Sequence, residues 1–340
     1  MRNKTIIRSL IILTIVAAVL TFIKLPYYIT QPGMATELAP IVEVENGYDE
    51  RGSFSLTTVR FGRANPLTYL WAQFNEFYYI HPLEEIRGED ESDEEYLNRQ
   101  LHMMETSQES AITVAYKKAG KEVDYKFHGV YVLNVLKDMP AAGKLEAGDR
   151  IYKVNDQEFE TSDEFIEYVS GIKVGKDVLI SFERNGDEKE TAVKLAPFPE
   201  DPNKSGIGIS LLTDREIIVE PEITLNTEKI GGPSAGLMMT LEIYNQLTKE
   251  DLTKGYKIAG TGTIATNGEV GPIGGISQKI VAADNAGVDI FLAPNEKDIP
   301  TSNYNEAVKT AEKINATMKI VPVDTFEEAV VYLTDLDEKR

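Results

Sequence analysis

The pattern near the start of the chain is apolar without interruption. Ser9 to Ile23 carries no charge, with Arg2, Lys4 and Arg8 before it and Lys24 after it. Leu25 to Ile29 lengthens the run if Lys24 reaches back to the headgroups and Tyr27 and Tyr28 lie in the interfacial belt. Residues 9–29 are therefore expected to form a transmembrane anchor. The basic residues ahead of it predict a cytoplasmic N-terminus over 1–8, with the bulk of the chain extracytoplasmic in a single-pass cell-membrane protein. No A-x-A-like site follows, which favours an uncleaved anchor over a signal peptide. Pro32, Gly33 and Pro40 then break a polar stretch that reads as a linker.

Beyond it the period of the pattern changes several times. Gly52 to Val59 has the β-branched and aromatic content of a strand. Residues 66–83 hold many aromatics, including Trp71, and predict an amphipathic packing helix. Glu89 to Glu95 is a charge run suited to a solvated loop or helix entry, and Met103 to Tyr116 predicts a helix closed by Lys117, Lys118 and Gly120. From Gly129 to Leu195 short strands alternate with turns, among them Asn185-Gly186 between two alternating runs, and a helix is expected over 162–170. Gly206 to Ser210, Ile217 to Val219, 288–293 and 319–323 predict further strands, and Phe326 to Leu333 a closing helix. Such a mixture predicts an α+β protein.

Composition narrows the function classes. Fifty-five acidic residues against thirty-five basic give a net charge of −20, which repels nucleic acid. There is no cysteine, so a thiolate metal site, a disulfide framework and a Cys nucleophile are excluded.

Chemistry is suggested by Gly231-Gly232-Pro233-Ser234-Ala235-Gly236 and the apolar run behind it. Small residues and a proline bend the chain around one hydroxyl at a helix start, where backbone amides and the helix dipole favour negative charge developing on oxygen. A simple N-cap or a phosphate cradle would also use such a start, although no Walker A sequence or G-x-G-x-x-G is present. Gly232 to Gly236 fits G-x-S-x-G as well. That elbow needs its histidine after the serine, whereas His81, His102 and His128 all precede Ser234, so an α/β-hydrolase triad is excluded; orders with histidine first stay open, although His81 and His102 flank an acidic segment and His128 opens a separate module. A serine can instead use lysine, provided that burial keeps the amine neutral. Lys279 is the candidate: it follows the glycine-rich turn Gly268 to Gln278 and opens the apolar run Lys279-Ile280-Val281-Ala282-Ala283.

Taken together, the two motifs resemble those of the Lon-type Ser–Lys peptidases. Gly232-Pro233-Ser234-Ala235-Gly236 resembles the nucleophile motif and Pro272 to Lys279 the lysine motif. Thr261-Gly262-Thr263-Ile264 resembles the segment whose threonine supports the lysine, which gives that role to Thr261. Gly231 departs from the pattern, since an acidic residue is usual there. Ala147-Gly148-Asp149-Arg150-Ile151-Tyr152-Lys153-Val154-Asn155 is similar to a PDZ domain. By that resemblance the loop His128-Gly129-Val130-Tyr131 would receive a peptide carboxylate, with Val130 to Val135 as the edge a peptide extends, so that Gly129, Val130, Tyr131 and Val132 would bind the peptide.

Anchor, inserted PDZ part and Ser–Lys part in this order resemble the membrane-anchored PDZ-containing Lon-like peptidases of Gram-positive bacteria. The resemblance implies a Lon-type proteolytic α/β domain interrupted by a β-rich PDZ domain. The expected boundaries are 30–125 and 199–340 for the proteolytic part and 126–198 for the PDZ part. It also implies an ATP-independent, membrane-anchored serine endopeptidase acting outside the cytoplasmic membrane on peptides or flexible protein segments, secreted or membrane-associated. Ser234 and Lys279 would be catalytic, with no metal, nucleotide or other cofactor, and the PDZ domain would recruit or gate substrate. The alternative is an inactive scaffold that binds extracytoplasmic protein C-termini.

Overall fold

Ile290–Pro294 is buried at every position, the mark of a strand covered on both faces. It lies inside a six-stranded sheet in the order Lys319–Val323, Ile290–Pro294, Lys257–Gly260, Ser53–Arg63, Tyr27–Glu37, Tyr79–Pro82. The first four run parallel and the last two pairings are antiparallel. The computed structural model describes residues 2–87, 91, 93–199, 201–202, 204–227 and 230–339. The chain divides into two compact units, one made of Met1–Glu122 and Val219–Arg340, the other of Val123–Ile218.

In the first unit helix Ile276–Asn285 packs on strands Tyr27–Glu37 and Ser53–Arg63, and helix Asn303–Ile314 on Ile290–Pro294 and Lys319–Val323. Ile276, Ile280, Phe291, Ala307 and Met318 close the core between them. Ser302 and Thr325 cap the starts of Asn303–Ile314 and Phe326–Thr334, each accepting a backbone N–H two or three residues into its helix. Helix Gly236–Leu247 packs against helix Asp93–Lys118. The latter begins ten residues before the expected Met103, and the charge run in front of it falls partly outside the described residues.

The structure corrects the expected anchor over 9–29. The N-terminal helix spans Arg2–Phe22 and stops, and Tyr27–Glu37 is a strand. Tyr28 stacks on Phe61 with ring centroids 4.5 Å apart, and its hydroxyl donates to Asp93 at 2.6 Å, so the residues needed to lengthen the span belong to the sheet. Ser9 to Phe22 is about 21 Å long at ~1.5 Å per residue, against the ~30 Å of a bilayer core. Among the described residues, no helix is long and apolar enough to cross a membrane. Residues 66–83 likewise form less helix than expected. Pro66–Ala72 is helical, opened by a capping box on Asn65, Tyr79–Pro82 is an edge strand, and a one-turn helix Leu83–Ile86 begins at the end of the range.

The second unit is a twisted sheet in the order Ile209–Val219, Val123–Val135, Arg150–Val154, Asp177–Arg184, Asp187–Lys194, with helix Ser162–Ser170 beside it. Val130, Ile151, Phe165, Ile180 and Phe182 form its core. Asn185 and Gly186 both take positive φ, 56° and 84°, and close a two-residue hairpin at the foreseen position. The Leu136 amide donates to the Gly208 carbonyl, and His128 Nε2 lies 3.6 Å from Glu216 Oε2. Those two contacts set the first and last strands of the unit antiparallel, so one begins where the other ends.

Candidate active site

Ser234 is held by the bend that precedes helix Gly236–Leu247. Gly232 has φ 85°, a conformation that favours glycine, and its amide donates to the Gln100 carbonyl at 2.8 Å. Ser107 Oγ donates to the Pro233 carbonyl at 3.1 Å, and the Gly262 amide donates to the Ser234 carbonyl at 2.9 Å. The loop is thus pinned from helix Asp93–Lys118 on one side and from the end of strand Lys257–Gly260 on the other. Among the described residues, the amides of Ser234 and Ala235 have no hydrogen-bond partner.

Lys279 arrives from the first turn of helix Ile276–Asn285. Gly275 caps that helix with φ 74°, and a Cβ there would lie 2.9 Å from Val59 Cγ1, so the turn presses against the sheet as only glycine allows. Lys279 is 2% exposed. Its Nζ lies 2.8 Å from Ser234 Oγ, 2.8 Å from the Thr57 carbonyl and 3.0 Å from Thr261 Oγ1. Burial alone draws its ammonium down from the ordinary 10.5 to about 7.

Proton counting fixes the direction of each bond. Thr261 has one hydroxyl proton, which it donates to the Ser234 carbonyl at 2.9 Å, so toward Lys279 it can only accept. The Thr57 carbonyl can only accept as well. A neutral amine has two protons and one lone pair; when both protons are committed to Thr57 and Thr261, the lone pair faces Ser234 Oγ. The geometry therefore presents an acceptor to the serine proton, an arrangement able to generate a serine nucleophile.

The three residues singled out in the sequence, Ser234, Thr261 and Lys279, are brought together. The Thr57 carbonyl was not foreseen, because a backbone acceptor leaves no trace in residue type. Ser107 and Gln100 were not foreseen either, since their contacts cross more than a hundred residues of chain.

Gly129, Val130, Tyr131 and Val132 are placed differently from the expectation. They lie within strand Val123–Val135, where Val130 and Tyr131 pair with Ile151 and Arg150, and the Val132 amide donates to Asp149 at 2.8 Å. The other flank of the strand is covered by Ile209–Val219. The edge expected at Val130 to Val135 is thus filled by the chain's own later strand. The free edges of this sheet are Ile209–Val219 and Asp187–Lys194.

The family profile of the Lon protease (S16) C-terminal proteolytic domain matches residues 217–334, and that of the PDZ domain matches residues 110–195. The chain carries a Lon-type proteolytic domain and a PDZ domain. The Lon protease of Campylobacter concisus is 39% identical over 100 residues, 29% of this chain and 11% of that protein. That of Methanosarcina barkeri is 34% identical over 116 residues, 32% of this chain and 13% of that protein. The chain thus spans little more than a tenth of the length of these curated relatives. The PDZ domain of the SdrC-like protein from Listeria monocytogenes is 38% identical and covers 25% of this chain and 90% of its own, with a TM-score of 0.24. The corresponding domain from Listeria innocua is 42% identical over 24% of this chain and 92% of its own, with a TM-score of 0.23. Ser234, Thr261 and Lys279 all fall inside the Lon-type match. Thr57, Gln100 and Ser107 fall before it and belong to the same compact unit.

Proposed function

We propose that this chain is an ATP-independent serine endopeptidase in which Ser234 is the nucleophile and Lys279 the general base. The observation that carries the reading is the 2.8 Å approach of a fully buried lysine amine to the serine hydroxyl.

Ser234 Oγ attacks the carbonyl carbon of a peptide bond and passes its proton to Lys279 Nζ. The oxyanion accepts from the free amides of Ser234 and Ala235 at the positive end of helix Gly236–Leu247. Collapse breaks the C–N bond, with the departing amine taking the proton from Lys279 and Ser234 left as an ester. Water then attacks that ester, Lys279 accepts its proton, and the acid product leaves as Ser234 Oγ is reprotonated. Thr261 and the Thr57 carbonyl keep the amine aimed throughout.

With no Walker A sequence in the chain, the substrates are peptides or protein segments already unfolded. The PDZ domain presents a free edge at Ile209–Val219 to which an extended peptide can add as a strand, which favours a recruiting or gating part for it. The outer-face location expected from Arg2, Lys4 and Arg8 ahead of an apolar segment stays part of this proposal and rests on those residues.

The test is mass spectrometry of peptides that accumulate with the wild-type chain and with Ser234→Ala. Products formed only by wild type support the reading. Equal cutting by both overturns it, and binding without any cutting by wild type returns the scaffold alternative.

A further inference from the structure

Ser107 is buried, at 4% exposure, on helix Asp93–Lys118, about two turns beyond Gln100 on the same face. Both residues hold the backbone of the reactive loop. The Gln100 carbonyl accepts from the Gly232 amide at 2.8 Å, and the Ser107 hydroxyl donates to the Pro233 carbonyl at 3.1 Å. Among the described residues that is the one hydrogen bond of the Ser107 side chain, and it reaches neither Ser234 Oγ nor Lys279. Nothing in the proton transfer uses it.

A trans peptide group is planar, so its carbonyl and its N–H point in opposite directions and turn only together. Fixing the Pro233 carbonyl therefore fixes the Ser234 amide, one of the two unpaired N–H groups assigned to the oxyanion. The next peptide is set in the same way. The Ser234 carbonyl accepts from the Gly262 amide and from Thr261 Oγ1, both at 2.9 Å, which aims the Ala235 amide. The first plane is held less firmly: besides Ser107, the Pro233 carbonyl has only a longer bond, 3.3 Å, from the Gly236 amide. No side chain caps helix Gly236–Leu247, so no cap competes for these amides.

We propose that Ser107 is a positioning residue for the oxyanion hole. By holding the Pro233 carbonyl it aims the Ser234 amide, through the rigid peptide between them, at the oxygen that turns negative in the transition state. The inference rests on the Ser234–Lys279 reading and adds to it a residue that precedes the Lon-type match. Because Ser107 acts on the transition state without meeting substrate, its loss lowers kcat and leaves KM and the titration of Lys279 in place.

The experiment compares the full chain with Ser107→Ala and Ser107→Cys on a peptide that wild type cuts and Ser234→Ala does not. Alanine removes the donor, whereas cysteine refills the space with a thiol that donates only weakly. Both variants should keep the wild-type KM and the wild-type midpoint of the pH–rate curve while kcat falls about 10- to 100-fold. A peptide aldehyde of the same sequence adds reversibly to Ser234 Oγ and places its former carbonyl oxygen in the hole. Its affinity should fall by a factor similar to the fall in kcat, while the matching peptide alcohol, which forms no such adduct, binds wild type and variants alike. Thermal melts check that each variant is folded, and if Ser107→Ala is not, Ser107→Cys carries the comparison. Wild-type kcat and aldehyde affinity in the variants overturn the proposal. So does a kcat restored by cysteine, which would make Ser107 a space filler, or a shifted pH midpoint, which would place the effect on Lys279. A wild type that neither cuts peptides nor captures the aldehyde overturns the Ser234–Lys279 reading itself, and this inference with it.

Discussion

The Lys279 ammonium is lowered by burial alone, and that single cause has two measurable consequences. The neutral amine is the working form, so the acylation rate should rise with pH through about 7 and level off above it; stopped-flow single-turnover cleavage from pH 5.5 to 9 checks this, and a flat profile would remove Lys279 as the base. The second consequence concerns stability. An unfolded chain keeps the lysine proton up to the ordinary 10.5, whereas the folded chain releases it at about 7, so between these values the unfolded state binds more protons and stability climbs with pH. Lys279→Met, similar in volume and uncharged, should abolish cleavage yet melt above wild type at pH 7, with the gain shrinking toward pH 10. Thr261→Val keeps the shape but leaves one amine proton without its acceptor. The lysine then loses its fixed aim and the Ser234 carbonyl loses a donor, so a kcat loss of roughly 10- to 100-fold is expected from steady-state kinetics, together with a lowered Tm. Much of this triad was legible in the sequence because Ser234 and Lys279 each stand beside a glycine-rich bend that opens an apolar helix. The Thr57 carbonyl was not, since a backbone acceptor has no mark in residue type and strand Ser53–Arg63 meets Lys279 only in the folded unit.

Helix Gly236–Leu247 is where the reactive loop meets the packing of the unit. A Cβ added at Gly236 would lie 2.8 Å from Ile264 Cγ2, 2.8 Å from Ser107 Oγ and 2.9 Å from the Ile264 amide nitrogen. The backbone atom cannot step aside, so Gly236→Ala should destabilise the unit by about 1–3 kcal/mol and displace Ser234, lowering kcat as well. Urea unfolding and cleavage assays on one preparation would show both losses, and an unperturbed variant would mean that the loop has slack the contacts do not suggest. Element-scale reading of the sequence succeeded where local chemistry decides, as in the Asn185-Gly186 hairpin. It failed at Tyr27 to Ile29, where aromatic and β-branched residues suit a membrane interface and a strand equally well. The contacts that chose the strand, from Phe61 and Asp93, lie more than thirty residues away. The strand edge at Val130 to Val135 was misread for a related reason: Ile209–Val219, more than seventy residues on, pairs with it first.

At the scale of the whole chain, the first unit is interrupted and the second is not. Tyr116, before the interruption, donates its hydroxyl to the Pro221 carbonyl after it at 2.7 Å, so the two halves of the first unit are bonded to each other close to the junction. The second unit has its own buried core and its own sheet. Val123–Ile218 expressed alone should therefore unfold cooperatively in a thermal melt, and a chain with that segment replaced by a short turn should keep a melting transition of its own. A deletion chain that never folds would show that the halves depend on the insert. Because the insert's opening strand starts where its final strand finishes, both passages of the backbone share one doorway, a strand spacing of about 5 Å wide. Any foreign module whose two ends lie that close could be exchanged there without rerouting the host chain, which makes this junction a natural socket for fitting a different domain.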